Sequence, residues 1–475
     1  MGLRERWLPP GSFRERLIRN TGFILGGDMT ILATGMVFTI LAARILGPAA
    51  YGLLQLSLTV VRFIDEFMDV RIEESIVRYL SDDLVRRDFP SAQACVLAGY
   101  LTDLLLTAIS VTLIFAAAPW VARAFFHIEP AQEPQAILLM RLFTGVLVLK
   151  VLNGTSKTLL RVFERFRALG IYRSAKGVCD LLFAGIGLFW GTTGVVAGLL
   201  ASAAVTTGLV QVFAWPTLRN LGPFAPGPVW PQFRRMGGFV FQTNLSGYLK
   251  SFNKHADMLI LGHFAPPEAA GFYRIAMSYS NLLGVAAAPL GYVIFPTMSR
   301  MHALGDPAQI RRLVRRITAA MTAYSLPAAA AMAWVAPSLL ALTVKRDFLP
   351  ALPAVYVLLG AFIVANVTIW TRPVTLAIGR PGLSTWANGL QSAVMVATAV
   401  VLVPWISFVG SAWATLLGTL VANLAVIAMI HRALPLFGPL EKGTARSPAR
   451  VGGAGRRSRA QRGPTSSDST GEGAP

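Results

Sequence analysis

The sequence predicts an all-α polytopic membrane protein, with about twelve transmembrane helices in two six-helix bundles related by a pseudo-twofold axis along the membrane normal. Three observations carry that prediction. Of 475 residues 54% are hydrophobic and 14% charged, where a soluble domain carries roughly 25% charge. Apolar stretches long enough to cross ~30 Å of hydrocarbon recur along the chain. The basic residues alternate between the links that join those stretches.

The apolar runs fall near residues 20–44, 49–70, 91–119, 135–155, 168–190 and 193–218, then 236–262, 269–297, 317–342, 350–371, 382–404 and 406–431. A Pro- and Gly-rich link with Pro223, Pro226, Pro228 and Pro231 separates the two sets of six. The expected organisation is a cytoplasmic N-terminus (1–19), a first bundle (20–219), a linker (220–235), a second bundle (236–435) and a disordered basic tail (436–475). Backbone groups left unpaired in lipid are costly, so the runs must be helices, and the alternation of a membrane β-barrel is absent. The N-terminal run is too long for a cleavable signal and leads directly into another, so it is expected to stay in the membrane.

With the N-terminus cytoplasmic, the cytoplasmic links and both ends carry 33 of the 43 Lys and Arg. The opposite links hold only Arg44, Arg123, Lys345 and Arg346. That asymmetry predicts a bacterial-type inner-membrane protein with both termini cytoplasmic. The formal charge of +20 therefore reports orientation first, and no nucleic-acid partner is expected. Three links read as amphipathic surface helices, through Ile72, Ile76, Leu80 and Leu84, through Leu159, Val162, Phe163 and Phe166, and through Ile310, Leu313, Val314 and Ile317. Cys95 and Cys179 lie in apolar runs and read as small hydrophobes.

The halves repeat in span count, link length and wording. Leu46-Gly47-Pro48 leads through Ala49 and Ala50 to Tyr51-Gly52, and Leu261-Gly262 leads through Ala269 and Ala270 to Gly271-Phe272-Tyr273. With Ala43 to Pro48, Asp69 to Arg78, Asp257 to Gly262 and Phe295-Pro296, these fragments resemble the oligosaccharide and polysaccharide flippases of the multidrug/oligosaccharidyl-lipid/polysaccharide exporter superfamily. Arg71 departs from the glycine expected after Asp69. The resemblance implies a carrier of polyprenyl-diphosphate-linked oligosaccharide, with membrane lipids and other polysaccharide-assembly proteins as partners, and no cofactor.

Charges inside a span usually face a wet cavity or a partner, because the hydrocarbon centre penalises them by ~2.5–3.5 kcal/mol on insertion scales. Six cations fall within spans: Arg62, Arg141, Lys150, Lys250, Lys254 and Arg274. They are the candidate substrate-binding residues, since cations supply charge-assisted bonds to a diphosphate. In span 7, Thr243, Ser246, Gly247, Lys250, Lys254 and Asp257 share one helical face, so its lysines are expected to face the space between the bundles. The alternative is a structural pair of Lys250 or Lys254 with Asp257. Arg62 and Glu66 are likewise spaced as an i, i+4 pair. Asp28, Asp103, Asp180 and Asp257 are candidate coupling-ion sites, though Asp28, Asp103 and Asp180 could equally pair with Arg141 or Lys150.

Pro289, Pro296, Pro327 and Pro373 are candidate kinks. Gly22-x-x-x-Gly26 and Gly194-x-x-x-Gly198 are close-packing signals. No metal cluster, nucleophile triad or phosphate-cradling glycine loop appears, and the external links are short, so a membrane glycosyltransferase is disfavoured and no catalytic residue is expected. Within the superfamily the competing reading is a cation-coupled exporter of drugs or other small molecules, which would use the acids rather than the cations.

Overall fold

A computed structural model describes residues 13–68, 72–243, 245–285, 287–304 and 306–433, and every regular element among them is helical. The expectations for the extreme N-terminus, Asp69, Arg71, the side chains of Thr243 and Ser246, and the 436–475 tail lie outside the described residues.

The first helix, α1, covers Phe13–Met68. Its 56 residues would extend ~84 Å unbroken, nearly three hydrocarbon thicknesses. Gly47, at φ 76° and ψ 173°, breaks it into two passes, a conformation open to glycine because it lacks a Cβ. There follow α2 (Ile72–Val85), α3 (Phe89–Trp120), α4 (Glu133–Lys150), α5 (Asn153–Val162), α6 (Phe166–Gly187) and α7 (Gly191–Arg219). The second half holds α8 (Val229–Thr243), α9 (Leu245–Phe264), α10 (Pro267–Val285), α11 (Ala288–Ala303), α12 (Pro307–Thr343), α13 (Leu352–Val367), α14 (Thr371–Ala377) and α15 (Gly382–Ala433). Non-helical Ile406 and Ser407 divide α15 as Gly47 divides α1.

Among the described residues, seven helical stretches are apolar and long enough to cross a membrane. The helices over 13–68, 166–219 and 382–433 each hold two passes, divided at Gly47, at the 188–191 turn and at 406–407. The charged helices α9 and α10 add two more, since 20 and 19 residues span ~30 Å. Each half therefore supplies six passes. In the first half α1 packs on α6 and α6 on α7; in the second α9 packs on α15 and α10 on α13. The halves meet where α1 runs against α9 and α10.

At that seam the sequence repeat becomes a reciprocal contact. A Cβ on Gly52 would stand 1.7 Å from the Pro267 carbonyl oxygen, and a Cβ on Gly271 would stand 2.4 Å from the Pro48 oxygen. Pro48 and Gly52 of one half occupy the places that Pro267 and Gly271 hold in the other, as a twofold-related interface requires. Close approach of backbones through small residues supplies packing where lipid removes the hydrophobic drive. The same device joins α6 to α7, where Cβ atoms on Gly187, Gly194 and Gly198 would fall within 2.2 Å of backbone oxygens. Gly22 and Gly26, by contrast, have nothing within 4 Å, and Gly27 is the residue of that stretch pressed against Arg173.

Two of the proposed kinks are helix starts: Pro289 lies in the first turn of α11 and Pro373 in that of α14, where a missing N–H costs nothing. Pro296 and Pro327 lie inside α11 and α12. Two of the three amphipathic links are discrete helices, α2 and α5, whose Ile76, Leu80 and Leu159 are buried with Cys95 and Met236. The third, with Ile310 and Val314, is the opening of the long α12 rather than a separate surface helix. All three bury their apolar faces against protein.

The linker between the halves is strapped to the first. The carboxamide of buried Gln93 donates to Leu221 O (2.9 Å) and Pro223 O (2.8 Å) and accepts from Ala225 N (2.8 Å). Arg235 beyond the linker reaches Asp83 at 3.1 Å and Asp82 at 3.0 Å and stacks over Tyr79. Desolvation opposes its charge, but the two aspartates hold its proton above the ordinary guanidinium range.

Candidate functional site

A cavity of about 560 Å³ lies inside the first bundle. Its walls come mainly from the second segment of α1, from α3, from the α4–α5 junction and from α6, with Ile31, Glu73 and Leu199 added from the first α1 segment, α2 and α7, and, among the described residues, Lys254 of α9 from the second half. The volume falls within the ~300–1,000 Å³ range of small-molecule sites. Six cations line it: Arg62, Lys150, Lys157, Arg173, Lys176 and Lys254.

Three of the six cations singled out from the sequence are therefore in one place, and three are not. Arg141 is exposed and stacks over the Phe115 ring at 5.5 Å, outside the cavity. Lys250 is exposed on α9 away from the lining. Arg274 is half-buried on α10, within electrostatic range of Arg62, Tyr51 and Asp257 but not in the wall. Among the described residues this chamber is walled by the first half, with Lys254 of α9 added from the second.

Lys157, Arg173 and Lys176 replace the missing three. Lys157 lies in the link before the 168–190 run, whereas Arg173 and Lys176 lie inside that run, and α6, from Phe166, carries them into the wall. The signal was present in Lys176 and Asp180, one helical turn apart and ion-paired in the structure.

Most of these cations are already neutralised. Arg173 pairs with Asp28, Lys176 with Asp180, Lys254 with Glu66, and Lys157 with Glu73 at 3.6 Å. Asp180 also accepts from Ser202 (2.6 Å), and Asp103 accepts from Thr155 N (2.9 Å) and Thr155 Oγ1 (2.8 Å) at the start of α5. Neither Arg141 nor Lys150 is an ion-pair partner of these three acids; residues of α5, α6 and α7 hold them instead.

Asp257 also departs from its expected pairing. It is buried, accepts from Tyr273 Oη at 2.5 Å and from its neighbour Met258 N at 2.7 Å, and holds neither lysine of its helix. Nor does Arg62 pair with Glu66, whose carboxylate takes Lys254 and Ser251 Oγ (2.9 Å).

Arg62 and Lys150 are the two lining cations with neither ion pair nor hydrogen bond among the described residues. Both sit deep in the protein, yet Arg62 is more than one-third open. A side chain surrounded by helices yet open to solvent faces a wet chamber, which is how lipid-embedded charge is tolerated. Glu66, Asp65 and Asp180 lie within electrostatic range of this pair without bonding to it, so Arg62 and Lys150 are the lining cations left available to an anion in a half-enclosed space. A unit charge 4 Å from one of them gains ~4 kcal/mol at an effective dielectric of 20.

Two sets of six passes with an ionic cavity among their helices define a polytopic membrane protein of all-α class. The chain belongs to the polysaccharide biosynthesis protein family, whose model matches residues 40–353. It is 22% identical over 316 residues to inner membrane protein YghQ of Escherichia coli (strain K12), covering 65% of this chain and 85% of that protein. Among solved structures, the inward-facing conformation of a multidrug resistance MATE family transporter of the MOP superfamily superposes with a TM-score of 0.73 at 14% identity, covering 86% and 96% of the two chains. Lipid II flippase MurJ in its inward closed conformation gives 0.67 at 12% identity, covering 85% and 86%.

Proposed function

We propose that this protein is a flippase that carries a polyprenyl-diphosphate-linked oligosaccharide from the cytoplasmic to the outer leaflet by alternating access, for surface polysaccharide synthesis. The observation that carries the reading is the pair of unpartnered cations, Arg62 and Lys150, in the cavity wall. A diphosphate offers the multiple negative oxygens that such a pair needs. The family's description and the likeness to a lipid II flippase support the same substrate class. Residues 20–219 and 236–435 would be the two rocking bundles, with both termini cytoplasmic as the distribution of Lys and Arg directs. Each net negative charge moved outward gains ~2.3 kcal/mol per 100 mV of inside-negative potential, so this substrate needs no further driving ion.

Export of a cationic small molecule with ion coupling is the second reading, favoured by the MATE-like superposition. It would rely on Asp28, Asp103, Asp180 and Asp257, but each of these carboxylates already holds a partner. An arriving cation would have to displace an ammonium, a guanidinium or a hydrogen bond first.

Proteoliposomes separate the two readings. With a short-chain polyprenyl-diphosphate sugar, Arg62→Gln and Lys150→Gln are each expected to slow translocation at least tenfold, since a charged hydrogen bond contributes ~1.5–3 kcal/mol. Collapsing the membrane potential should slow the wild-type chain as well. Unchanged translocation in both variants refutes the diphosphate reading, and uptake of a cationic dye sensitive to Asp180→Asn would establish the second.

A further inference from the structure

Glu66 is a cavity acid whose ion-pair and hydrogen-bond partners come from the other half of the protein. Its carboxylate takes the Lys254 ammonium and the Ser251 hydroxyl (2.9 Å), and His255 Nε2 lies 3.2 Å from the same Oε2 as Ser251. That imidazole is buried, and Glu66 is the carboxylate its Nε2 faces. All three groups lie on α9, while Glu66 lies on the second segment of α1. Aromatic contacts flank the cluster, with Phe63 6.3 Å from Phe252 and Phe67 5.0 Å from Tyr248, centroid to centroid. Lys254 nevertheless keeps 60% of its side chain exposed and lines the cavity. It faces Glu66 and the chamber at once.

We infer that Glu66 is an internal counter-anion that latches α1 to α9 while the cavity is empty, and that a phosphate group entering the cavity takes Lys254 from it. The ligand's identity rests on the diphosphate reading; the latch itself rests on the contacts. A carboxylate and a phosphate oxygen compete for the same ammonium hydrogens. When the phosphate wins, Glu66 keeps only Ser251 and His255, and the ionic tie across the seam is lost. Arg62 and Lys150 supply the rest of the binding, so recognition of the anion and release of the bundles become one event. A ligand shifts such an equilibrium only through differential affinity for the two arrangements, and the freed Lys254 is that difference.

The test uses the full chain in nanodiscs, with Cys95 and Cys179 replaced by alanine and nitroxide labels at Val85 and Leu304. These positions are 82% and 69% exposed, one on each half. Inorganic pyrophosphate is the probe. Glu66→Gln keeps the side-chain volume and the bond to Ser251, so its fold is expected to survive. It should shift the inter-label distance distribution without ligand and lower the pyrophosphate Kd about tenfold. Lys254→Met should give the same shift without ligand but raise the Kd. A Glu66→Gln distribution identical to wild type overturns the latch. If wild type ignores pyrophosphate while Glu66→Gln still shifts, the latch stands and the diphosphate reading fails. If wild type binds pyrophosphate through Arg62 and Lys150 while Glu66→Gln neither shifts nor binds more tightly, the latch alone fails.

Discussion

Replacing Gly52 with alanine tests the seam between the two halves most directly. The new methyl would stand 1.7 Å from the Pro267 carbonyl oxygen and 2.6 Å from its carbon. Real Cβ contacts essentially never fall below 3.0 Å, so the helices must separate by about 1.3 Å at their crossing. Because the obstructing atoms are backbone, no rotamer change relieves them. Overpacking of this kind costs ~1–3 kcal/mol, and Gly52→Ala is expected at the upper end of that range. At Gly271 the methyl would meet the Pro48 oxygen at 2.4 Å, less than half the displacement, so Gly271→Ala should cost about 1 kcal/mol. Gly26, with nothing within 4 Å, is the internal control. There alanine should be neutral or stabilise by ~0.5–1 kcal/mol through helix propensity. Reversible unfolding in mixed detergent and SDS micelles reads all three variants. The double variant at 52 and 271 should cost less than the sum of the singles, because one separation relieves both clashes. Gly52→Ala as stable as Gly26→Ala would refute the reciprocal crossing.

Two further perturbations probe the links. Gln93→Leu leaves the carbonyls of Leu221 and Pro223 and the N–H of Ala225 without their partner. Each such group costs ~1–3 kcal/mol if it stays buried. Limited proteolysis within 220–228 should therefore quicken at least tenfold, and an unchanged cleavage pattern would remove Gln93 from the strap. Asp88 and Asp306 accept from Ser91 N (3.1 Å) and Gln309 N (3.0 Å) at the starts of α3 and α12; the Ser91 hydroxyl and then its amide, and the Gln309 amide, hold the two carboxyls below the ordinary aspartate range. A depressed acid stabilises the fold above its unfolded pKa and loses that contribution as pH falls through the folded value. Hydrogen-exchange protection of the two amides, corrected for intrinsic rate, should stay level from pH 7 to 5 and fall only below the ordinary aspartate value of 3.8. Loss of protection between pH 7 and 5 would contradict this assignment.

The spans were legible because the hydrocarbon imposes one requirement on all of them, a continuous apolar run with its backbone paired internally. That rule fixed the all-α class and twelve passes, even for α9 and α10, whose charges lower their hydropathy. The link at 46–52 and its counterpart at 261–273 were visible as a repeat, but not as surfaces that touch. The contact between Gly52 and Pro267 joins residues 215 positions apart, and no local periodicity reports it. Gly22-x-x-x-Gly26 has the right spacing, yet a Cβ there would meet none of the described residues within 4 Å, while neighbouring Gly27 carries the contact with Arg173.

The sequence by itself determined that charge lies inside the membrane, since residue type and distance from a span's end are local facts. Which charges share a chamber was decided by tertiary structure alone. Arg62 and Lys150 converge with Arg173 and Lys176, whereas Arg141, Lys250 and Arg274 point elsewhere, because the rotation of each helix is set by what it packs against. The pairings were decided there too: Lys254 passes over Asp257, three residues away on its own helix, for Glu66 on another. Helical spacing states only what a residue could reach along its own helix. Charges in a low-dielectric interior take the best-placed partner from any helix, and packing chooses which helix stands beside it.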